Sequence, residues 1–233
     1  DCVILAIKGD EDIEKLLKDN KIGKVFIALH GRFGEDGTIQ RILENMNLPY
    51  SGSGPEASRL ALDKIASHEK FLEFGISAPP FEILNRNSKL GLTGLEFPVV
   101  VKPQFEGSSI GLSVVKDNEE FNIAKSIAFN YGNNIIVEKY IKGRELTVAV
   151  YNELALPIVE IRPKTLIYDF KAKYRRADTE YIVPAELNSG ELKLAGEYGV
   201  SAHNALGCKQ FSRVDMILGD DGKFYVLEVN TIP

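Results

Sequence analysis

Residues 97–116, FPVVVKPQFEGSSIGLSVVK, confine this part of the chain to a strand, a glycine-rich loop and a returning strand. Val99, Val100 and Val101 form a β-branched run. Lys102 stands where that strand ends, so its ammonium points into whatever the loop encloses. The loop from Pro103 to Gly111 is small and polar. Gly107, Ser108, Ser109 and Gly111 present backbone N–H groups and hydroxyls to an anion with little side-chain bulk in the way. It is not a P-loop of the Walker type, in which Gly-Lys-Ser/Thr enters a helix, because here the chain returns as a second strand, Leu112 to Val115. Taken alone, the stretch fits both a flap over nucleotide phosphates and a plain Gly-Ser hairpin.

The rest of the composition narrows the ligand. With 233 residues, 44% of them hydrophobic, the chain buries a substantial core as one large domain or two to three small ones. The net charge of -5, with both signs interspersed, argues against nucleic acid and against a polybasic membrane patch, and leaves small polar ligands open. Cys2 and Cys208 have neither disulfide-framework nor zinc spacing, which fits a reducing compartment. No apolar run approaches the ~20 residues of a membrane helix, and no signal-peptide pattern opens the chain, so a cytoplasmic location is expected. A start at Asp1 and an end just after a strand-like run suggest a fragment of something longer.

In chain order, residues 2–7 and Val25 to Leu29 read as buried strands, and Asp10 to Lys18 as a helix. The second strand runs into a glycine loop, HGRFGEDG, and then a helix with Ile39, Ile42, Leu43 and Met46 on one face. This is a doubly wound pattern, in which ligands sit at the carboxyl ends of strands, where His30 stands. His30 is a ligand contact or a histidine that merely bonds the turn. A breaker-rich stretch, Pro49 to Pro55, precedes helices over Glu56 to Leu62 and Asp63 to Phe74. Asp63 is a candidate N-cap, and Lys64 at a positive helix end hints at an anion nearby. Phe81 to Leu84 is a strand, Asn118 to Tyr131 a helix and Ile135 to Lys139 a strand. The run through Glu138, Lys139 and Ile141 to Glu145 pauses at Gly143. Extended backbone there suits an adenine, and the two carboxylates suit its amino group or the ribose hydroxyls; a sheet edge with ordinary surface charge is the alternative. Thr165 to Pro184, with Lys171, Lys173, Arg175 and Arg176, is long and basic enough for a lid over phosphates. Asn188 or Ser189 caps a helix reaching about Leu206.

Phe211 to Leu218 and Lys223 to Val229 form a hairpin around Gly219-Asp-Asp-Gly222. In a regular ladder Leu218 faces Lys223, Arg213 faces Glu228 and Asp215 faces Val226, all on one face that Asn230 continues. Asp215, Glu228 and Asn230 make a hard-oxygen set suited to Mg²⁺ completed by phosphates. A cross-strand Arg213–Glu228 ion pair is the alternative, and it leaves Asp215 and Asn230 unexplained.

Taken together, HGRFGEDG, LPYSGSGPEAS, ALDK, VVVKPQFEGSSIGLS, VEKYIKGRELTVAV, YDFKAKY, FSRVDMIL and FYVLEVNTIP resemble the D-alanine:D-alanine ligases of the ATP-grasp superfamily, over essentially the whole chain. The resemblance implies an α/β chain of the α+β ATP-grasp type. An N-terminal doubly wound parallel-sheet domain (1–52), expected without its first strand and helix in these residues, precedes two ATP-grasp subdomains with mostly antiparallel sheets, central (53–141) and C-terminal (142–233, truncated). ATP lies between the two sheets. By resemblance Lys64 and Lys102 bind its phosphates, Glu138, Lys139, Ile141 and Glu145 contact adenine and ribose, and Asp215, Glu228 and Asn230 hold two Mg²⁺ ions, or Mn²⁺.

The implied reaction makes D-alanyl-D-alanine for cell-wall peptidoglycan from two molecules of D-alanine, through an acyl phosphate. Arg213 matches the group that stabilises the oxyanion, Lys173 and Tyr174 lie in the lid, Ser108 bonds that tyrosine, and His30 stands near the first D-alanine. Tyrosine at 174 resembles the dipeptide-forming enzymes rather than the D-lactate-using relatives. Another ATP-grasp ligase with a different amine or hydroxy acid, and a non-catalytic nucleotide-binding fragment, are the competing readings. The family is commonly a homodimer. It also carries a glutamate segment before the first residue here and a Gly-x-Thr-x-x-Ser segment after the last, and both are expected in the full-length protein.

Overall fold

The computed structural model describes residues 2–7, 12–87, 91–162 and 179–233. The first of its three hydrophobic clusters is built on two short helices. Asp12 accepts a hydrogen bond from the Lys15 N–H and so caps α1 (Ile13–Asp19), which buries Ile13 and Leu17 one turn apart. α2 (Thr38–Asn45) adds Ile39 and Leu43, and Ile27 and Ile232 complete the cluster. Gly37, at φ +89°, leads into α2, and a Cβ there would lie 2.3 Å from the Pro55 carbonyl oxygen. The strands expected over 2–7 and 25–29 reduce to one parallel bridge, Val25 to Tyr50. An apolar run becomes a strand only beside a ladder partner. Residues 2–7 have none among the described residues, and Ile4 is 93% exposed.

α3 (Pro55–Leu62) and α4 (Lys64–Glu73) follow, with Pro55 in the first turn of α3 and Asp63 capping α4 through the Ala66 N–H. Their apolar faces, Ala57, Ala61 and Phe71, do not join the sheet that follows them in sequence. They belong to the cluster of the C-terminal sheet.

The central sheet contains β1 (Phe81–Asn85), β2 (Val99–Pro103), β3 (Ser113–Val115) and β4 (Asn134–Lys139). It is antiparallel throughout, in the order β1-β4-β2-β3. α5 (Asn118–Ala128) covers it with Phe121, Ala124 and Ala128 against Val99, Val101, Val115, Ile135 and Val137. The loop between β2 and β3 is the predicted flap. Gly111 in it has φ +72°, and a Cβ there would meet Pro103 Cγ at 2.7 Å.

The C-terminal sheet holds β5 (Gly143–Tyr151), β6 (Leu154–Ala155), β7 (Val159–Arg162) and β8 (Glu180–Ile182), then, after α6 (Ser189–Ala205), β9 (Phe211–Gly219) and β10 (Phe224–Asn230). Its order is β10-β9-β5-β7-β8, with β6 paired to β5, again antiparallel. Asn188 and Glu191 form a capping box that starts α6. Part of the expected lid is sheet, because Glu180–Ile182 pairs with β7. Residues 163–178, with Lys171, Lys173, Tyr174, Arg175 and Arg176, lie outside the described residues.

The β9–β10 hairpin departs twice from a regular register. Its loop is three residues, 220–222, with Gly222 in the left-handed region at φ +77°, so Phe224 rather than Lys223 faces Leu218. A bulge between Val226 and Glu228 then shifts the ladder again, and Glu228 faces Asp215 while Asn230 faces Arg213. The expected pairs Arg213–Glu228 and Asp215–Val226 are therefore wrong. Val226 lies in the core with Phe224 and Met216.

Phe71 is fully buried in the C-terminal cluster. Replacing it by Ala is expected to lower unfolding free energy in urea by about 3–5 kcal/mol, and a loss below about 1 kcal/mol would show that α4 is not anchored there.

Candidate active site

On β9 the alternation is strict. Val214, Met216 and Leu218 are buried, while Arg213, Asp215 and Ile217 face the other way. β5 repeats it, with Leu146, Val148 and Val150 buried and Glu145, Thr147 and Ala149 opposite them. The ladder sets Glu145 beside Ile217, Thr147 beside Asp215 and Ala149 beside Arg213. Asp215 is the hub of this face. It accepts from Thr147 Oγ1 at 2.6 Å, from Arg213 Nε and Nη2 at 3.0 Å each, and from Asn230 Nδ2 at 3.1 Å. A two-point guanidinium–carboxylate contact fixes the Arg213 plane as well as its charge. Asn230 binds Asp215 through its amide nitrogen, so its amide oxygen takes no part in that contact.

α4 brings a second group. Lys64 Nζ donates to the Glu106 carbonyl of the flap at 2.5 Å and lies 3.9 Å from Glu228 Oε2. Its backbone N–H donates to the Gln104 carbonyl, so the helix start is tied to the flap twice. Glu106 is gripped from the other side by Arg32 of the 30–37 loop at 2.8 Å. Ser108 and Ser109, at φ 52° and 58°, form the left-handed tip of the flap.

The sequence directs the Lys102 ammonium of β2 into the space the flap encloses; in the structure it turns to a carboxylate of the neighbouring strand instead. The ammonium lies 2.6 Å from Glu138 Oε2, and both side chains are buried. The other oxygen of Glu138 is 3.2 Å from Nε2 of His68, which is itself fully buried on α4. Burial pushes the Glu138 carboxyl up, but the Lys102 ammonium bonded to it, with the His68 ring beside its other oxygen, outweighs this and holds it well below the usual carboxylate range.

Lys139 ends β4, and its N–H donates to the Pro80 carbonyl. Ile141 lies in the connection from β4 to β5, half-buried, against the β9–β10 turn at Gly219. His30 is exposed at the start of the glycine loop. In that loop Glu35 accepts from the Gly31 N–H. Burial raises its pKa, and the charge of Glu228 adds to this, against the pull of Gly31, His30 and Arg213. The structure thus gathers Lys64, Arg213, Asp215, Glu228 and Asn230, with Glu35 within electrostatic reach, and sets Lys102 and Glu138 in a second group beside α4. Lys173 and Tyr174 lie outside the described residues.

Sequence reasoning missed Thr147, Glu35 and His68. Thr147 was visible as the polar residue two after Glu145 in an alternating strand, and His68 as the residue one helical turn after Lys64. Glu35 had no signal beyond its place in the loop.

Two family models match. One described as D-ala D-ala ligase N-terminus covers residues 6–53, and one described as D-ala D-ala ligase C-terminus covers 71–233. The D-alanine:D-alanine ligase of Geotalea uraniireducens is 46% identical over 231 residues, spanning 98% of this chain and 74% of the relative. A crystal structure of the D-alanine:D-alanine ligase of Bacillus anthracis superposes with a TM-score of 0.87 at 36% identity, over 99% of this chain and 76% of that one. Its complex with ATP gives 0.83 at 32% identity, over 96% and 73%.

Because the Glu138 pKa is lowered on folding, the carboxylate stabilises the native state above its unfolded value of about 4.5, and this stability is lost as pH falls through the lower folded value. Glu138→Gln leaves Lys102 buried without its anion. Urea unfolding at neutral pH is expected to show a loss of about 3–5 kcal/mol, with a flatter stability profile below pH 4.5 than the wild type. An unchanged acid limb would show that Glu138 is not charged in the fold.

Proposed function

Because the chain belongs to the D-alanine:D-alanine ligase family, we propose that the residues gathered between its two sheets divide the work of one ATP-dependent ligation. The protein joins two D-alanines into D-alanyl-D-alanine for peptidoglycan synthesis, with ATP converted to ADP. The fold is ATP-grasp. The observation that supports the assignment of roles is the convergence of Arg213, Asp215, Glu228 and Asn230 on one sheet face, with the Lys64 ammonium 3.9 Å from Glu228.

Ligation of a carboxylate to an amine needs the carboxylate activated. The first D-alanine's carboxylate attacks the γ-phosphorus and ADP leaves; the second's amine then adds to the acyl carbonyl, and phosphate departs. Lys64 and Lys102 hold the phosphates, exchanging the Glu106 carbonyl and the Glu138 carboxylate for phosphate oxygens. Glu138, Lys139, Ile141 and Glu145 bind adenine and ribose. Arg213, already oriented by Asp215, donates to the oxyanion of the tetrahedral intermediate. His30 borders the first D-alanine. Ser108, bonded to Tyr174, closes the flap with Lys173 and the lid and excludes water from the acyl phosphate.

Asp215, Glu228 and Asn230 hold magnesium, with manganese as substitute. Two carboxylates and an amide oxygen on adjacent strands, without histidine or cysteine, fit a hard cation. In this reading substrate phosphates complete the shell; among the described residues no group of three or more His, Cys, Asp or Glu could hold a metal ion by itself. When bound, the ion neutralises phosphate charge during transfer. The proposal takes the protein as a cytoplasmic homodimer. Among the described residues no helix is long and apolar enough to cross a membrane.

Phosphate release measured on the full-length protein with ATP and Mg²⁺ tests this reading. It is expected to depend on D-alanine, and release supported only by another amine would contradict it. Asp215→Asn is expected to lower turnover at least about tenfold and to raise the magnesium requirement. An unchanged magnesium dependence would remove Asp215 from the ligand set.

A further inference from the structure

We infer that His68 is a positioning residue for nucleotide binding: it stands beside the Glu138 carboxylate and donates to it when a phosphate takes the Lys102 ammonium. The inference rests on the proposal that Lys102 binds a phosphate of ATP. His68 lies one turn after Lys64 on α4, so both side chains leave the same face of the helix. Phe71 anchors that helix in the C-terminal cluster, whereas Glu138 and Lys102 sit on neighbouring strands of the central sheet. The His68–Glu138 contact therefore joins α4, packed on the C-terminal sheet, to the central sheet at a buried point.

Each oxygen of Glu138 faces a different partner, Lys102 Nζ at 2.6 Å on Oε2 and His68 Nε2 at 3.2 Å on Oε1. The imidazole packs edge-on to Phe81 at 5.3 Å and lies 5.9 Å from Phe71, which sets its plane. Within this frame both ring nitrogens and Glu138 Oε1 are buried without an aligned hydrogen bond. Groups so placed gain from a small turn that aligns them. When a phosphate draws the Lys102 ammonium away, a carboxylate that is 1% exposed needs another donor, and His68 Nε2 is within reach of it. His68 touches neither nucleotide nor substrate and acts only through Glu138.

Side-chain length gives the test. Glutamine carries an N–H donor near the position of the imidazole Nε2; asparagine is too short to reach it, and leucine has no donor. ATP affinity by calorimetry, and KM for ATP and for D-alanine, are measured on full-length wild type, His68→Gln, His68→Asn and His68→Leu. Folding of each is checked by thermal melting. In the Leu and Asn variants ATP affinity is expected to fall and KM for ATP to rise about tenfold, with KM for D-alanine within about twofold and Gln restoring wild-type values within about twofold. Equal ATP affinity in all folded variants, equal loss in Gln and Asn, or a parallel rise in KM for D-alanine overturns the inference. If the Leu variant does not fold, the Gln and Asn pair decides. A wild type that turns over but loses no ATP affinity in Lys102→Ala overturns the assignment of Lys102, and with it the role of His68.

Discussion

One extra residue in β10 decides the chemistry of the C-terminal sheet. From Phe224 and Val226, both buried, a regular strand would carry Glu228 into the same core. Leu227 is bulged, the phase changes, and Glu228 and Asn230 come out on the face of Arg213 and Asp215 while Val229 takes the core position. A carboxylate pointed at Phe224 and Met216 would have to shed its charge or find a buried partner. The bulge removes that conflict and builds a polar surface from a strand whose other face remains apolar.

α4 bridges the two sheets. Its apolar residues pack on the C-terminal sheet, its capping Asp63 accepts from Gln104 of the flap, and its Lys64 and His68 reach the flap and the central sheet. Polar joints of this kind can exchange partners, which a fully apolar seam cannot. Lys64 and Lys102 rest on protein oxygens at Glu106 and Glu138, and phosphate oxygens offer equivalent contacts.

Much of this was legible in the sequence. The alternation in Leu146, Val148, Val150 and Val214, Met216, Leu218 set the faces of β5 and β9, and Asp63 and Asn188 marked helix starts that the structure keeps. The regular ladder put Asp215, Glu228 and Asn230 on one face although its pairing is off by one residue at the turn and by another at the bulge, because the two shifts cancel in facing. A three-residue loop and a bulge leave no reliable mark in composition, because both depend on backbone geometry at Gly222 and Leu227. The Lys102–Glu138 pair was hidden for another reason. Two charged residues 36 apart in sequence meet only once β2 and β4 are neighbours, and strand order is a tertiary property. The assignment of α3 and α4 to the C-terminal cluster is likewise a choice between two apolar surfaces that neither helix encodes alone.

A crystal structure of the full-length protein with a non-hydrolysable ATP analogue and magnesium is expected to show the nucleotide between the two sheets, its phosphates within hydrogen-bond distance of Lys64 and Lys102, and magnesium bound by Asp215, Glu228 and Asn230. A nucleotide seated elsewhere, or a metal held without the bulged strand, would contradict these assignments.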